Sequence, residues 1–181
     1  MKKSVVLISF FLLFSGSLLF AGELEVGASV GASLWEDSVG FSLAPEARWL
    51  FSDSNQPFVF GAGLVVRYNR TSLDGYTQNE VYALALASVD YPLLPKLSVR
   101  AQAGVGGGWL GASGGEGASL GALYIHPAVG VQYDLGFLIL HILGGTGFTV
   151  VSDASKHTLT LDLGATYRFN PSPKKEGLYN E

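Results

Sequence analysis

Apolar and polar residues alternate one by one along most of this chain, in eight successive stretches. In the first stretch the apolar residues run from Leu24 to Leu34 at even numbers, with Glu, Gly and Ser between them. Side chains of a β-strand point alternately to opposite faces, so a period of two predicts strands with two different faces. The eight stretches begin near Leu24, Phe41, Phe58, Val81, Leu97, Leu123, Leu138 and Leu159.

Segments rich in turn-forming residues separate the predicted strands. They are Trp35–Ser38, Ser52–Gln56, Arg70–Thr77, Pro92–Pro95, Gly111–Leu120, Leu135–Gly136 and Val151–His157. The spacing of about 20 residues per strand and connection suits strands with about 9–11 residues inside a membrane. Two prolines, Pro45 and Pro127, fall inside predicted strands and remove a ladder hydrogen bond each. A local bulge could absorb this loss, and it would shift the alternation on one side of the proline. The fourth stretch is less regular, because Tyr82, Leu84 and Leu86 fall on its polar side.

The N-terminus has the three parts of a secretory signal peptide. Lys2 and Lys3 are basic, residues 5–20 are apolar apart from Ser and Gly, and polarity returns after the small residue Ala21. An uncleaved membrane anchor is the alternative, since about 17 apolar residues are at the lower limit for a spanning helix. We therefore expect a signal peptide over residues 1–21, one domain over 22–169 and a short periplasmic tail over 170–181.

Composition excludes several classes of function. The chain has 181 residues, of which 14% are charged and none is Cys; soluble domains have about 25% charged residues. Disulfide scaffolds, thiol catalysis, cysteine-bound metal clusters and an acylated lipoprotein cysteine are excluded. Because 11 basic residues face 15 acidic ones, we expect no nucleic-acid partner. No spacing of His and carboxylates indicates a metal site, and we expect no cofactor.

The charged residues of the strands all share one phase of the alternation. A soluble sandwich or lipocalin-like barrel would turn this phase to water, and that alternative is coherent strand by strand. Two features favour the inverse, a transmembrane barrel with its polar face inside. The charged phase is rich in Gly, as a narrow interior requires, and the apolar phase carries aromatic residues near the strand ends, as barrel girdles do. One predicted rim has Trp49, Phe51, Phe58, Phe60, Tyr91, Tyr133, Tyr167 and Phe169, and the other has Tyr68, Trp109 and Phe148.

Backbone groups in hydrocarbon must all be paired, so a β-protein enters a bilayer as a closed barrel. We therefore predict an all-β fold, an eight-stranded antiparallel up-and-down transmembrane β-barrel. Its interior is predicted to be filled by an ionic network, because buried charges are tolerated when they are paired. The predicted members are Glu25, Glu46, Arg48, Arg67, Glu80, Asp90, Arg100, Asp134, Asp162 and Arg168, with Lys96 on the same phase.

The last predicted strand resembles the C-terminal assembly signal of bacterial outer-membrane proteins. The resemblance rests on Asp162, Gly164, Tyr167 and Phe169, although twelve residues follow Phe169. With the signal peptide and eight strands, the chain resembles the small OmpA/OmpX-like outer-membrane barrels. This resemblance implies the outer membrane of a diderm bacterium, its lipid as surroundings, and the barrel-assembly machinery as a partner during biogenesis.

Other motifs carry little chemistry. The segment Gly106–Gly111 matches GxGxxG, but a Gly/Ser loop follows it where a nucleotide site needs a helix. His126 and His141 lie on the inward phase, with Asp134 and Asp162 as potential partners, and His157 lies in a predicted loop. Hydrogen bonding of the inward histidines to carboxylates is the simplest interpretation.

The sequence therefore predicts a non-enzymatic barrel with a structural or surface-interaction role. An extracellular partner would contact the outer loops, above all Arg70–Thr77 and Gly111–Leu120. Two alternatives remain. One is a narrow passive channel, and the other is an enzyme that modifies lipid A, which would need a His with a Ser or carboxylate near the outer leaflet.

Overall fold

A computed structural model of the chain describes residues 22–52, 57–73, 76–113, 119–152 and 154–169. The predicted signal peptide and periplasmic tail lie outside the described residues. The described chain forms eight strands: β1 (Glu23–Trp35), β2 (Ser38–Ser52), β3 (Val59–Leu73), β4 (Tyr76–Leu94), β5 (Leu97–Ser113), β6 (Ser119–Asp134), β7 (Leu138–Val151) and β8 (Ala154–Phe169).

Each strand pairs antiparallel with the next, and β8 pairs with β1, so the sheet closes into a barrel. Closure satisfies the backbone groups that an open sheet would leave at its edges. The predicted all-β, eight-stranded up-and-down barrel is confirmed. We call the end where β1 begins and β8 ends the base, and the opposite end the top. Among the described residues, no helix is long and apolar enough to span a membrane.

The strands extend further towards the top than predicted. Strand β3 continues to Leu73 and β4 begins at Tyr76, where a loop over Arg70–Thr77 was expected. Likewise, β5 reaches Ser113 and β8 begins at Ala154. The ladder continues there through pairs such as Ser72↔Thr77, because backbone pairing does not require the apolar alternation from which the strands were predicted. The three top loop predictions were wrong in extent.

The two prolines do not shift the alternation. Pro45 pairs in unbroken register with Ala28 on β1, and the pairing of β2 with β3 resumes at Glu46 without a shift. Pro127 likewise pairs with Ala103 on β5, and the β6–β7 pairing keeps its register on both sides. Both prolines are exposed on the outward face, and neither position has the bulge that would shift the alternation. The described register changes once, between Pro92 and Leu94 at the end of β4.

The charged phase faces the barrel interior and the apolar phase faces outward. Arg48 and Arg100 have 0% of their surface exposed, whereas outward residues such as Val30, Leu163 and Val129 are about half exposed. Tyr82, Leu84 and Leu86 also point inward and are buried, which explains the irregular fourth stretch. Lys96 lies in the turn between β4 and β5 and is exposed, so the interior does not contain it.

Aromatic rings gather on the outward face near the base. Phe58 lies against Tyr91 with 5.4 Å between ring centroids, and Tyr167 against Phe169 with 4.8 Å. Phe137, in the β6–β7 turn, adds a ring 6.0 Å from Tyr167. Towards the top, Trp109 and Phe148 are exposed on the same outward face.

Candidate functional site

The barrel interior near the base is organised around Arg48. Its guanidinium donates to Glu25 Oε2 from Nη2 at 2.6 Å and from Nε at 2.9 Å. It also donates to Asp90 Oδ2 at 2.9 Å and to the Ser88 hydroxyl at 2.9 Å. All of these side chains are buried, and charge-assisted bonds of this kind are stronger than neutral ones.

Two further arginines extend this cluster. Arg100 donates from Nε to Asp90 Oδ1 at 3.2 Å, and its Nη1 lies 3.7 Å from Glu46 Oε1. Arg168 donates to Glu25 Oε1 at 2.8 Å and to Asp134 Oδ2 at 3.0 Å. We define the base cluster as Glu25, Glu46, Arg48, Asp90, Arg100, Asp134 and Arg168.

Glycines on β3 allow Arg48 to reach β4, which is not adjacent to β2. Gly63 is the register partner of Arg48, and Gly61 is the partner of Ser88. A Cβ on Gly63 would collide with the backbone and Cβ of Arg48, and one on Gly61 with the Ser88 hydroxyl. The missing side chains on β3 therefore leave the space in which Arg48, Ser88 and Asp90 meet.

A second pair lies deeper in the barrel, apart from the base cluster. Arg67 donates from Nη2 to Asp162 Oδ2 at 2.5 Å, and the Ser42 hydroxyl donates to Asp162 Oδ1 at 2.9 Å. The Asp162 carboxylate thus has two partners, from β2 and β3.

A third pair lies near the top, and its cation is not among the predicted interior residues. Lys156 donates to Glu80 Oε1 at 2.5 Å, and Lys156 Nζ lies 4.1 Å from the centroid of the Trp35 ring. Glu80 also accepts bonds from Asn69 at 3.2 Å and Gln78 at 2.9 Å. Lys156 lies in the predicted loop Val151–His157, and its even number, shared with Thr158 and Thr160, is the sequence signal for an inward position.

Aromatic and apolar side chains fill the interior between these polar groups. The Tyr82 and Tyr124 rings stack at 4.1 Å, and His126 stacks on Tyr124 at 5.9 Å. The Tyr82 hydroxyl is 3.1 Å from the Thr149 hydroxyl, and Leu84, Val65 and Ala44 belong to the same buried cluster as the two tyrosines. This part of the interior is a packed core and holds no ion pair among its described members.

Large inward side chains lie over glycines of neighbouring strands. A Cβ at Gly108 would meet Tyr82, one at Gly147 would meet Tyr124, and one at Gly164 would meet His141. The pairing of large with absent side chains is the way a narrow barrel fills its interior.

All ten predicted interior positions point into the barrel, but they do not form one network. Seven belong to the base cluster, Arg67 and Asp162 form the deeper pair, and Glu80 pairs with Lys156. The histidines do not bind carboxylates as interpreted. His126 Nε2 is 2.9 Å from the Thr160 hydroxyl, and neither ring nitrogen of His141 has a hydrogen-bond partner among the described groups. His157 points outward, where it bonds the Thr146 hydroxyl and stacks on Phe148 at 4.9 Å.

The residues of the proposed assembly signal divide between the two faces. Asp162 and Gly164 point inward, to Arg67 and beneath His141, while Tyr167 and Phe169 lie outward among the aromatic rings near the base. Each therefore has a packing role in the folded barrel, and its recognition by the assembly machinery remains a prediction.

The described residues contain no group of three or more His or carboxylates placed to hold a metal ion. The arrangement is suited to filling and cross-linking the barrel wall, because Arg–carboxylate pairs join neighbouring strands and also strands that are not neighbours.

Comparison with known proteins supports this architecture through structure alone. No family model and no curated protein matches the chain. Among solved structures, Neisserial surface protein A superposes with a TM-score of 0.60 at 16% identity, covering 82% of this chain and 97% of that one. The outer membrane enzyme PagL gives 0.55 at 10% identity, covering 79% and 98%. A major outer membrane protein from Thermus thermophilus gives 0.51 at 19% identity, covering 83% and 100%.

The fold is that of a small outer-membrane β-barrel. The predicted resemblance to this class is confirmed at the level of fold.

Proposed function

We propose that this protein is an integral barrel of a bacterial outer membrane with a structural or surface-interaction role. The observation that supports this is the distribution of residues between the two faces of the sheet. Buried ion pairs lie inside the barrel, and exposed aliphatic and aromatic residues lie outside. Water would not stabilise such an outer surface, whereas hydrocarbon bounded by aromatic girdles would. Because an exported chain reaches the outer membrane from the periplasm, the base faces the periplasm and the top faces the outside of the cell.

Gel mobility of the membrane fraction tests this location. The unboiled protein should migrate as a band distinct from the boiled one, because the closed hydrogen-bonded sheet resists detergent. The protein should also sediment with the outer membrane. A soluble periplasmic protein without a heat-dependent shift would contradict the proposal and would mean that the outward apolar face has another occupant.

The filled interior argues against the channel alternative. Arg48 and Arg100 are fully buried near the base among their carboxylates, and the buried Tyr82 and Tyr124 rings stack in the part above. In a planar bilayer we expect no steady conductance steps from the folded protein. Regular conductance steps from protein that shows the heat-dependent gel shift would mean that the ion pairs open, and would favour the channel.

One contact favours the enzymatic alternative, and PagL shows that the fold can carry an enzyme. The Thr146 hydroxyl and the His157 ring form a hydrogen bond on the outward face near the top, as a nucleophile and a general base would. Among the described residues, no carboxylate forms a hydrogen bond or ion pair with His157. We therefore favour the non-enzymatic role.

An extracellular partner would meet the top of the barrel. Because the strands extend to Leu73, Tyr76, Ser113 and Ser119, the surface that it contacts includes the ends of β3 to β6 as well as their connections. Lipid of the outer membrane surrounds the barrel in this proposal, and the barrel-assembly machinery inserts it.

A further inference from the structure

Arg70 departs from the pattern of the other arginines in the strands. Arg48, Arg67, Arg100 and Arg168 point inward and pair with carboxylates. Arg70 points outward and is exposed, and no carboxylate among the described residues forms an ion pair with it. The loop predicted over Arg70–Thr77 is mostly strand, and Arg70 therefore belongs to β3. It is the one charged side chain on the outward phase of the described strands.

Arg70 lies where the outward surface changes from apolar to polar. Along β3 the outward residues are Phe60, Ala62, Leu64, Val66 and Tyr68, followed by Arg70 and Ser72. Phe60, in the aromatic rim near the base, is ten positions before Arg70, which at about 3.3 Å per residue and a tilt of about 40° is about 25 Å of height. That height equals the apolar band of a membrane barrel, so Arg70 lies at the level of the outer headgroups.

Hydrogen-bond donors lie beside and above Arg70 on the same face. Asn79 is its register partner on β4, so the two side chains are adjacent. The Tyr68 hydroxyl donates to Asn79 Oδ1 at 2.8 Å, which leaves the amide N–H groups of Asn79 as donors beside the guanidinium. Ser72, one outward position above, is exposed and adds a hydroxyl.

A guanidinium with a neighbouring amide is complementary in charge and geometry to a phosphate group. The guanidinium can bind such a group through two N–H donors. On the other side of Arg70, its register partner Phe41 on β2 is exposed, and exposed Leu43, the partner of Tyr68, continues the apolar surface below. An anion here therefore belongs to a molecule whose remainder is apolar.

We propose that Arg70, Asn79 and Ser72 bind a phosphate group of an outer-leaflet lipid, whose acyl chains contact Phe41, Leu43 and Tyr68. This inference rests on the proposed function, because it places the top of the apolar band at the outer leaflet. It gives the barrel one preferred lipid contact on the β2–β4 side.

Native mass spectrometry of the protein folded in nonionic detergent micelles tests the site, with bisphosphorylated lipid A as the probe. The unchanged protein should retain one lipid A, and Arg70→Gln should weaken this binding about tenfold or more, the effect of losing a charge-assisted pair. Arg70→Lys should bind with intermediate strength, because it keeps the charge and loses the paired donors. Lys96→Gln is the matched control, since it removes one exposed cation at the base and should bind as the unchanged protein does.

Three results would overturn the site. Equal binding by Arg70→Gln and the unchanged protein removes Arg70 from recognition. Equal weakening by Arg70→Gln and Lys96→Gln means that net charge alone attracts the lipid. Displacement of lipid A by an equal concentration of inorganic phosphate means a site for free phosphate. Heat-dependent mobility separates the two proposals: a protein that shifts but fails these tests lacks the lipid site and remains a membrane barrel.

Discussion

Replacing Arg48 by Met should lower the free energy of unfolding by about 3–5 kcal/mol, the loss typical when one partner of a buried ion pair is removed. Arg48 is fully buried and bonds Glu25, Asp90 and Ser88. Without it, Asp90 keeps Arg100 as a partner, while Glu25 keeps Arg100 and Arg168. The remaining carboxylates then outnumber the arginines still further, at a depth where water does not screen them. Urea unfolding of the protein in detergent micelles measures the change in the free energy of unfolding, with the loss of the band of the folded, unboiled protein as the readout.

A double-mutant cycle separates this ion pairing from general packing. Arg48→Met combined with Asp90→Asn should cost less than the two single changes added together, with a coupling of about 0.5–3 kcal/mol. Lys96→Met is the matched control, because its side chain is exposed in a turn and its loss should leave the unfolding curve within about 0.5 kcal/mol. Additive costs for Arg48 and Asp90 would show that the base cluster contributes bulk rather than charge pairing.

The alternation of residue types was enough to predict the strands, their number and the direction of each face. A period of two survives wherever one side meets hydrocarbon and the other a packed interior. Above the apolar band both faces meet polar surroundings, so the contrast disappears. Arg70 and Lys156 lie there, and the pattern therefore predicts loops at both positions. Once the strand ladder is known, their numbering alone assigns Arg70 to the outside and Lys156 to the inside.

The partners of the interior charges could not be predicted from single strands. Arg48 meets Asp90 across β3, through the space above Gly61 and Gly63, and Arg67 meets Asp162 from strands far apart in the sequence. These pairings depend on barrel closure and on the stagger between strands, which a residue pattern within one strand does not contain. His126 shows the same limit, since the inward phase predicts burial but does not distinguish the Thr160 hydroxyl from a carboxylate.

Replacing Gly164 by Ala should destabilise the barrel, even though Gly164 was singled out only as part of an assembly signal. A Cβ there would collide with the His141 ring and come within 2.8 Å of Ser29 Cβ. His141 is buried and is the register partner of Gly164, so its ring has little room to move. We expect a loss of about 1–3 kcal/mol in unfolding free energy, as for other overpacked cores. Gly121→Ala is the matched control, because a Cβ there meets nothing within 4 Å.

The combined change Gly164→Ala with His141→Ala separates packing from recognition. Removing the ring makes room for the new methyl group, so the double variant should refold into detergent more completely than Gly164→Ala alone, without any assembly machinery. The same two proteins in cells then test the signal. If the machinery reads Gly164, both should assemble poorly in the outer membrane despite the recovered refolding of the double variant. If Gly164 acts only by accommodating His141, the double variant should assemble as well as His141→Ala does, and failure to recover refolding in detergent would contradict the steric explanation itself.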